Sequence, residues 1–98
     1  MIPATAFVEA ARCRGFGLYT GVPCSFLKPL INFVIDDPDL RYVAATNEGD
    51  AVAIAAGAEL GGLRSVVMLQ NSGLGNAVSP LSSLKWPFRL PVLLVVTL

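Results

Sequence analysis

No histidine occurs among the 98 residues, so neither a Ser-His-Asp nor a Cys-His nucleophile system, nor a histidine-based zinc site, can be built within this chain. Charge is scarce as well. Lys plus Arg number 7 and Asp plus Glu number 7, which leaves a formal net charge of zero and none of the basic footprint of a nucleic-acid or anionic-membrane binder. The two cysteines, Cys13 and Cys24, form neither a CxxC pair nor a disulfide framework, which fits a reducing, cytoplasmic compartment. There is no GxxxxGK[ST] phosphate cradle. The longest apolar stretch, residues 90–97, is interrupted by Pro91 and falls far short of the roughly 20 residues needed to span a bilayer. Glu9, Arg12 and Arg14 stand where a secretory signal would carry its apolar run, so no signal peptide is expected. What remains is apolar: hydrophobic residues make up 54% of the chain, which describes a packed core at a length that accommodates one domain. So apolar a composition on so small a globule predicts that some of its surface meets a partner.

Glycine and proline punctuate alternating helix-like and strand-like segments. Ala4, Phe7, Val8 and Ala11 recur at helical spacing over residues 4–14, before Gly15 and Gly17. Residues 18–22 read as a first strand. Ser25 is placed to cap a helix reaching Ile35, with Leu27, Leu30, Ile31, Val34 and Ile35 on one face, Pro29 in the first turn, and Asp36, Asp37 and Pro38 as the stop. Residues 42–45 predict a second strand. Ala51, Ile54, Ala55 and Ala58 predict a helix over 50–60 that ends at Gly61 and Gly62. Residues 66–69 and 92–96 are apolar without alternation, as strands covered on both faces are, and residues 76–85 supply the crossover helix between them. The fold class expected is α/β, a parallel sheet with helices on both faces.

Ligands of such sheets bind outside the carboxyl ends of the strands. Three polar or glycine-rich loops fall there: Gly21, Val22, Pro23, Cys24 and Ser25; Thr46 to Asp50; and Gln70, Asn71, Ser72, Gly73, Leu74, Gly75 and Asn76. The third loop departs from GxGxxG at its last position, Val78, and its glycines are equally explained by a tight turn into a helix. Glu48 follows an apolar strand and precedes an alanine-rich helix, a setting in which a carboxylate is poorly solvated and best satisfied by a ligand nitrogen. The alternative is that Glu48 or Asp50 caps the helix, a role for which Asp50 is the better fit. Cys24 and Ser25 have no histidine to activate them as nucleophiles. Asp36, Asp37 and Asp39 around Pro38 read as a solvated turn rather than a metal site. Lys28, Arg64, Lys85 and Arg89 are scattered, and any one of them could meet an anionic substrate. Trp86, before Pro87, is expected to anchor a loop by packing.

Taken together, GVPCSFLKPLIN, TNEGDAVAIAAGAELGG, MLQNSGLGNAVSPLSSL and LPVLLVVT resemble the opening of the phosphonopyruvate and sulfopyruvate decarboxylases over nearly the whole chain. These are thiamine-diphosphate enzymes. The resemblance implies that residues 1–98 are part of a pyrimidine-binding domain, and that Glu48 is the family's glutamate that hydrogen-bonds N1′ of the aminopyrimidine. That contact favours the tautomer whose nitrogen removes the thiazolium C2 proton. It also implies that Asn71, Ser72, Gly73, Leu74, Gly75 and Asn76 lie against the cofactor, with Leu74 replacing the proline of the GPG found in related enzymes. Val22, Pro23, Cys24 and Ser25 are then the loop approaching a small 2-oxo acid, with Ser25 donating to its carboxylate. The residues contain no GDG motif, so Mg²⁺ and the cofactor's diphosphate are expected to be held by a partner domain or subunit within an oligomer, and this chain alone is expected to be inactive. Phosphonopyruvate is the substrate expected. A sulfopyruvate decarboxylase alpha-type subunit and a non-catalytic regulatory remnant are the alternatives.

Overall fold

A computed structural model describes residues 3–98. Helix α1 (Ala4–Cys13) ends where Gly15 takes a positive φ of 86°, a conformation that costs glycine nothing, and the chain turns into strand β1 (Phe16–Gly21). A short 3₁₀ turn (Ser25–Leu27) leads into α2 (Lys28–Asp36), followed by β2 (Arg41–Ala44), α3 (Glu48–Leu60) and β3 (Arg64–Leu69). A helical crossover then leads to β4 (Leu93–Val96). The four strands are all parallel, in the order β2-β1-β3-β4.

The period of two along β3 divides the core. Val66 and Met68 join Val8 and Ala11 of α1, Ile31 and Val34 of α2, and Tyr19 of β1 on one face. Val67 and Leu69 join Ala51, Val52, Ala55 and Ala56 of α3, with Ala77, Leu90 and Val92, on the other. Helices therefore cover both faces, as the unalternating run at 66–69 predicts. Alanine on the inner face of α3 lets that helix lie close to the sheet. Each fully buried valine, Val8, Val34, Val52, Val66 and Val67 among them, contributes on the order of 1.5–3 kcal/mol. Outside the sheet, Arg12 of α1 pairs with Asp37 at the end of α2. The backbone N–H of Asp39 and the Arg12 guanidinium together hold the Asp37 carboxyl below the usual range, and this is the solvated turn expected around Pro38.

Several expectations need correction. Ser25 does not cap α2; it opens the 3₁₀ turn without a side-chain cap bond, and α2 begins only at Lys28, with Pro29 in its first turn as expected. Helix α3 begins two residues earlier than expected. Its cap is Asn47, whose Oδ1 accepts from the backbone N–H of Asp50 at 3.0 Å, so Asp50 is the third helical residue and not the cap. The crossover is no continuous α-helix. It runs as a 3₁₀ segment (Asn71–Ala77), one α turn (Val78–Pro80) and a π turn (Leu81–Lys85), with Ser82 Oγ and Ser83 Oγ donating to the carbonyls of Val78 and Ser79. The N–H groups of Trp86 and Leu90 reach five residues back, to Leu81 and Lys85. Among the described residues β4 stands last in the sheet and its cover is incomplete, with Leu93 37% and Val96 36% exposed. Trp86, 83% exposed, anchors nothing by packing.

Candidate functional site

The connections out of β1 and β3 run in opposite directions along the sheet, since β2 lies on one side of β1 while β3 and β4 lie on the other. Their carboxyl ends therefore form the switch point where an open α/β sheet leaves a crevice. The backbone closes this edge tightly. The N–H of Ala45 donates to the carbonyl of Gly21 at 2.9 Å, and the N–H of Thr97 to that of Leu69 at 3.0 Å. A Cβ on Gly21 would overlap the carbonyl oxygen of Met68 and lie 2.9 Å from its carbon. The three polar loops leave from adjacent points on this edge.

Two of them meet directly. Glu48, half-buried, is the first residue of α3, and its Oε1 accepts a hydrogen bond from Asn76 Nδ2 at 3.0 Å. Gly73, buried, packs against the same carboxyl group: a Cβ there would overlap Glu48 Cδ and Oε2 and lie 2.6 Å from Cγ. A Cβ on Gly49 would lie 2.8 Å from the Asn76 carbonyl oxygen. Glycine at 49 and 73 is thus a condition of the close approach between the α3 start and the third loop, a sharper reason than a tight turn alone.

The cap of α3 is made without Glu48. Asn47 caps the helix, while Asp50 Oδ2 accepts from Thr46 Oγ1 at 2.6 Å and from Asn47 Nδ2 at 3.3 Å. Asp50 is therefore engaged with the cap, and Glu48 is not needed for it. Among the described residues Glu48 Oε2 accepts no hydrogen bond, so one carboxyl oxygen is fixed by Asn76 and the other has a lone pair to offer. The carboxyl is half-buried rather than enclosed, so the poor solvation expected of it is met only in part. Of the remaining third-loop residues, Asn71, Ser72, Leu74 and Gly75 are exposed on the same edge.

The first loop is arranged differently. Pro23, Cys24 and Ser25 line a cavity of about 380 Å³ together with Lys28, Ile31 and Asn32 of α2, while Val22 is half-buried beside it. No hydrogen bond joins residues 22–25 to Glu48 among the described residues. Behind Cys24 the phenol of Tyr42 is buried without a hydrogen-bond partner, and burial, with the Cys24 thiol adding in the same direction, pushes it above its ordinary value. Sequence reasoning missed Asn47 as the cap and Lys28 and Asn32 as cavity residues. Asn followed three residues later by an acid before an alanine-rich run was the available signal for the first; for the second, the spacing Ser25, Lys28, Asn32 puts all three on one helical face.

Residues 2–98 match the family model of the thiamine pyrophosphate enzyme, N-terminal TPP binding domain. The chain is 50% identical over 97 residues to a phosphonopyruvate decarboxylase of Streptomyces viridochromogenes and 46% identical to that of Streptomyces hygroscopicus, covering 99% of this chain and 24% of each relative. It is 33% identical to a sulfopyruvate decarboxylase subunit alpha of Methanococcus maripaludis, covering 99% of this chain and 58% of that subunit. The chain thus spans about a quarter of the length of the first two and just over half of the third.

Proposed function

This chain belongs to the thiamine pyrophosphate enzymes, through their N-terminal TPP binding domain, and we propose that it forms the aminopyrimidine-binding half of a 2-oxo acid decarboxylase acting on phosphonopyruvate, releasing CO₂ and phosphonoacetaldehyde. The observation that carries the reading is the Glu48 carboxyl, at the sheet's switch point, with Oε1 tied to Asn76 and Oε2 free. The higher identity to the phosphonopyruvate enzymes, 50% and 46% against 33%, favours phosphonate over sulfonate.

The residues present fit the cofactor. Gly73 and Gly49 let the third loop close directly on the start of α3 and the Glu48 carboxyl, and the free carboxyl oxygen suits a ring nitrogen that shares a proton. Thiamine diphosphate, when bound, supplies the ring that takes up the electrons left as the carbon–carbon bond to CO₂ breaks. Through Oε2, Glu48 would share a proton with that ring. Asn76 keeps the carboxyl from rotating away, and the backbone of residues 71–75 lies alongside. Mg²⁺ and the diphosphate are held by a partner domain or subunit, because no GDG motif occurs in these residues. The exposed side chains of Trp86, Phe88 and Val78 offer apolar surface to such a partner in an oligomer.

The test is CO₂ release from phosphonopyruvate and sulfopyruvate, side by side, by the chain with its diphosphate-binding half, with thiamine diphosphate and Mg²⁺ added or withheld. Cofactor-dependent release that is faster from phosphonopyruvate is expected. Preference for sulfopyruvate would reassign the substrate, and no turnover of either by a folded, cofactor-loaded complex would make the chain a non-catalytic module. Gly73→Ala probes the same geometry. The intruding methyl meets the movable end of Glu48, so the melting temperature should hold within a few degrees while the displaced carboxyl lowers turnover on the order of 10-fold or more; unchanged turnover would remove Gly73 from the site.

A further inference from the structure

The chain has seven cationic side chains, and the structure sorts them. Arg12 is paired with Asp37 and Glu9, and Arg14 donates to the carbonyl of Ala10. Arg64 donates to the Arg14 carbonyl at 2.8 Å and lies 4.2 Å above the Phe16 ring, at the amino ends of β1 and β3. Arg41 opens β2 at that same end. Lys85 and Arg89 line a separate cavity of about 530 Å³ in the segment that enters β4 from its amino end. Lys28 alone follows the carboxyl end of a strand.

It also has no partner: neither ion pair among the described residues involves Lys28, and the first turn of α2 holds no acid. Ser25, Lys28 and Asn32 succeed one another at i, i+3 and i+7 and line the same cavity of about 380 Å³ behind the first loop. That volume suits a small molecule, and its polar complement is one cation, one hydroxyl and one amide, with no carboxylate among the lining residues. The one nearby acid of the proposed chemistry, Glu48, belongs to a different loop.

We infer that Lys28, with Asn32 beside it, binds the second anionic group of the substrate, the phosphonate that does not react, and is the specificity-determining residue of the site. The inference rests on the decarboxylase reading. A carboxylate that leaves as CO₂ must be stripped of strong ionic partners, so a cation at this edge is best spent on the group that stays. Ser25, at the cavity rim, remains the donor toward the carboxylate. Because the phosphonate is bound alike before and during bond breaking, its loss of Lys28 should raise KM more than it lowers kcat.

The test uses the complete enzyme carrying Lys28→Ala or Lys28→Arg, read in two ways. Binding of phosphonoacetate, which has both anions but no 2-oxo group to react, is measured by calorimetry; KM and kcat are measured with phosphonopyruvate and with pyruvate, which lacks the second anion. Lys28→Ala should weaken phosphonoacetate binding and raise KM for phosphonopyruvate by about 10–100-fold, as loss of a charged hydrogen-bond partner does, while Lys28→Arg recovers most of both. The ratio of the two KM values should shift in the direction of pyruvate. Wild-type affinity for phosphonoacetate in Lys28→Ala, or equal rises of KM for the two substrates, overturns the inference. Failure of the unsubstituted enzyme to decarboxylate either acid would instead sink the proposed reaction, and the calorimetric comparison would still decide whether Lys28 binds a phosphonate.

Discussion

Replacing Glu48 with Gln is expected to lower cofactor-dependent turnover by about 10²–10⁴-fold while the chain stays folded. The substitution is nearly isosteric. An amide oxygen at position 48 still accepts from Asn76 Nδ2, so the 3.0 Å bond and the packing against Gly73 survive, and what disappears is the carboxyl oxygen Oε2 able to share a proton with the ring. The stability effect is correspondingly small. A carboxylate in the first turn of a helix is worth about 0.3–1 kcal/mol through the dipole, and the cap itself is made by Asn47 and Asp50. Rate measurements paired with thermal melts separate the possibilities: a large drop in melting temperature with normal turnover in the folded fraction would restore the capping role to Glu48 and remove it from the chemistry. Thiamine diphosphate affinity offers an independent check, since a carboxyl that shares a proton with the ring contributes to holding it.

What was legible in the sequence followed from local physics. The run Val66, Val67, Met68, Leu69 has no polar alternation because the two core clusters take alternate residues of that strand. Pro29 falls where a helix tolerates it, and the three glycine-rich or polar loops fall at one edge because parallel strands all point the same way. Glu48 Oε1 accepts from the neutral amide of Asn76, a residue 28 positions away whose approach depends on the absence of a side chain at Gly73. No periodicity reports such a contact. The crossover was misread for a related reason. Residues 76–85 carry helical composition, but composition does not fix pitch, and the chain resolves into short 3₁₀, α and π segments. The exposure of Trp86 and of β4 is a property of the assembled sheet: among the described residues β4 is the last strand in the order, a position that an apolar run does not report. Lys28 could not be singled out from its neighbours in sequence, since what distinguishes it is the end of the sheet at which it stands.

Gly21→Ala should be the most destabilising single methyl in the chain. Gly21 pairs with Ala44 of β2 on one side and Met68 of β3 on the other, and Met68 in turn pairs with Val95 of β4, so the position lies at the middle of the carboxyl edge. The obstacle to a Cβ is backbone: the Met68 carbonyl oxygen and carbon, with the Met68 nitrogen 3.3 Å away. A flexible side chain can swing aside, as Glu48 can from Gly73, but a strand carbonyl cannot move without breaking its ladder. A loss of about 3 kcal/mol or more is expected, which for a domain of this size lowers the melting temperature by about 12–24 °C. Gly57→Ala is the control, because nothing lies within 4 Å of a Cβ there and the residue is inside α3; it should stabilise by about 0.5–1 kcal/mol. Where Gly21→Ala still folds, the methyl must wedge β1 from β3 at the switch point, separating the loop that carries Ser25 and Lys28 from the loop that carries Gly73 and Asn76. The variant should then lose turnover more steeply than its residual stability explains. If it instead melts with the wild type and keeps full activity, the two central strands do not approach as closely as the fold requires, and the edge on which both the cofactor contact and the phosphonate contact depend is built some other way.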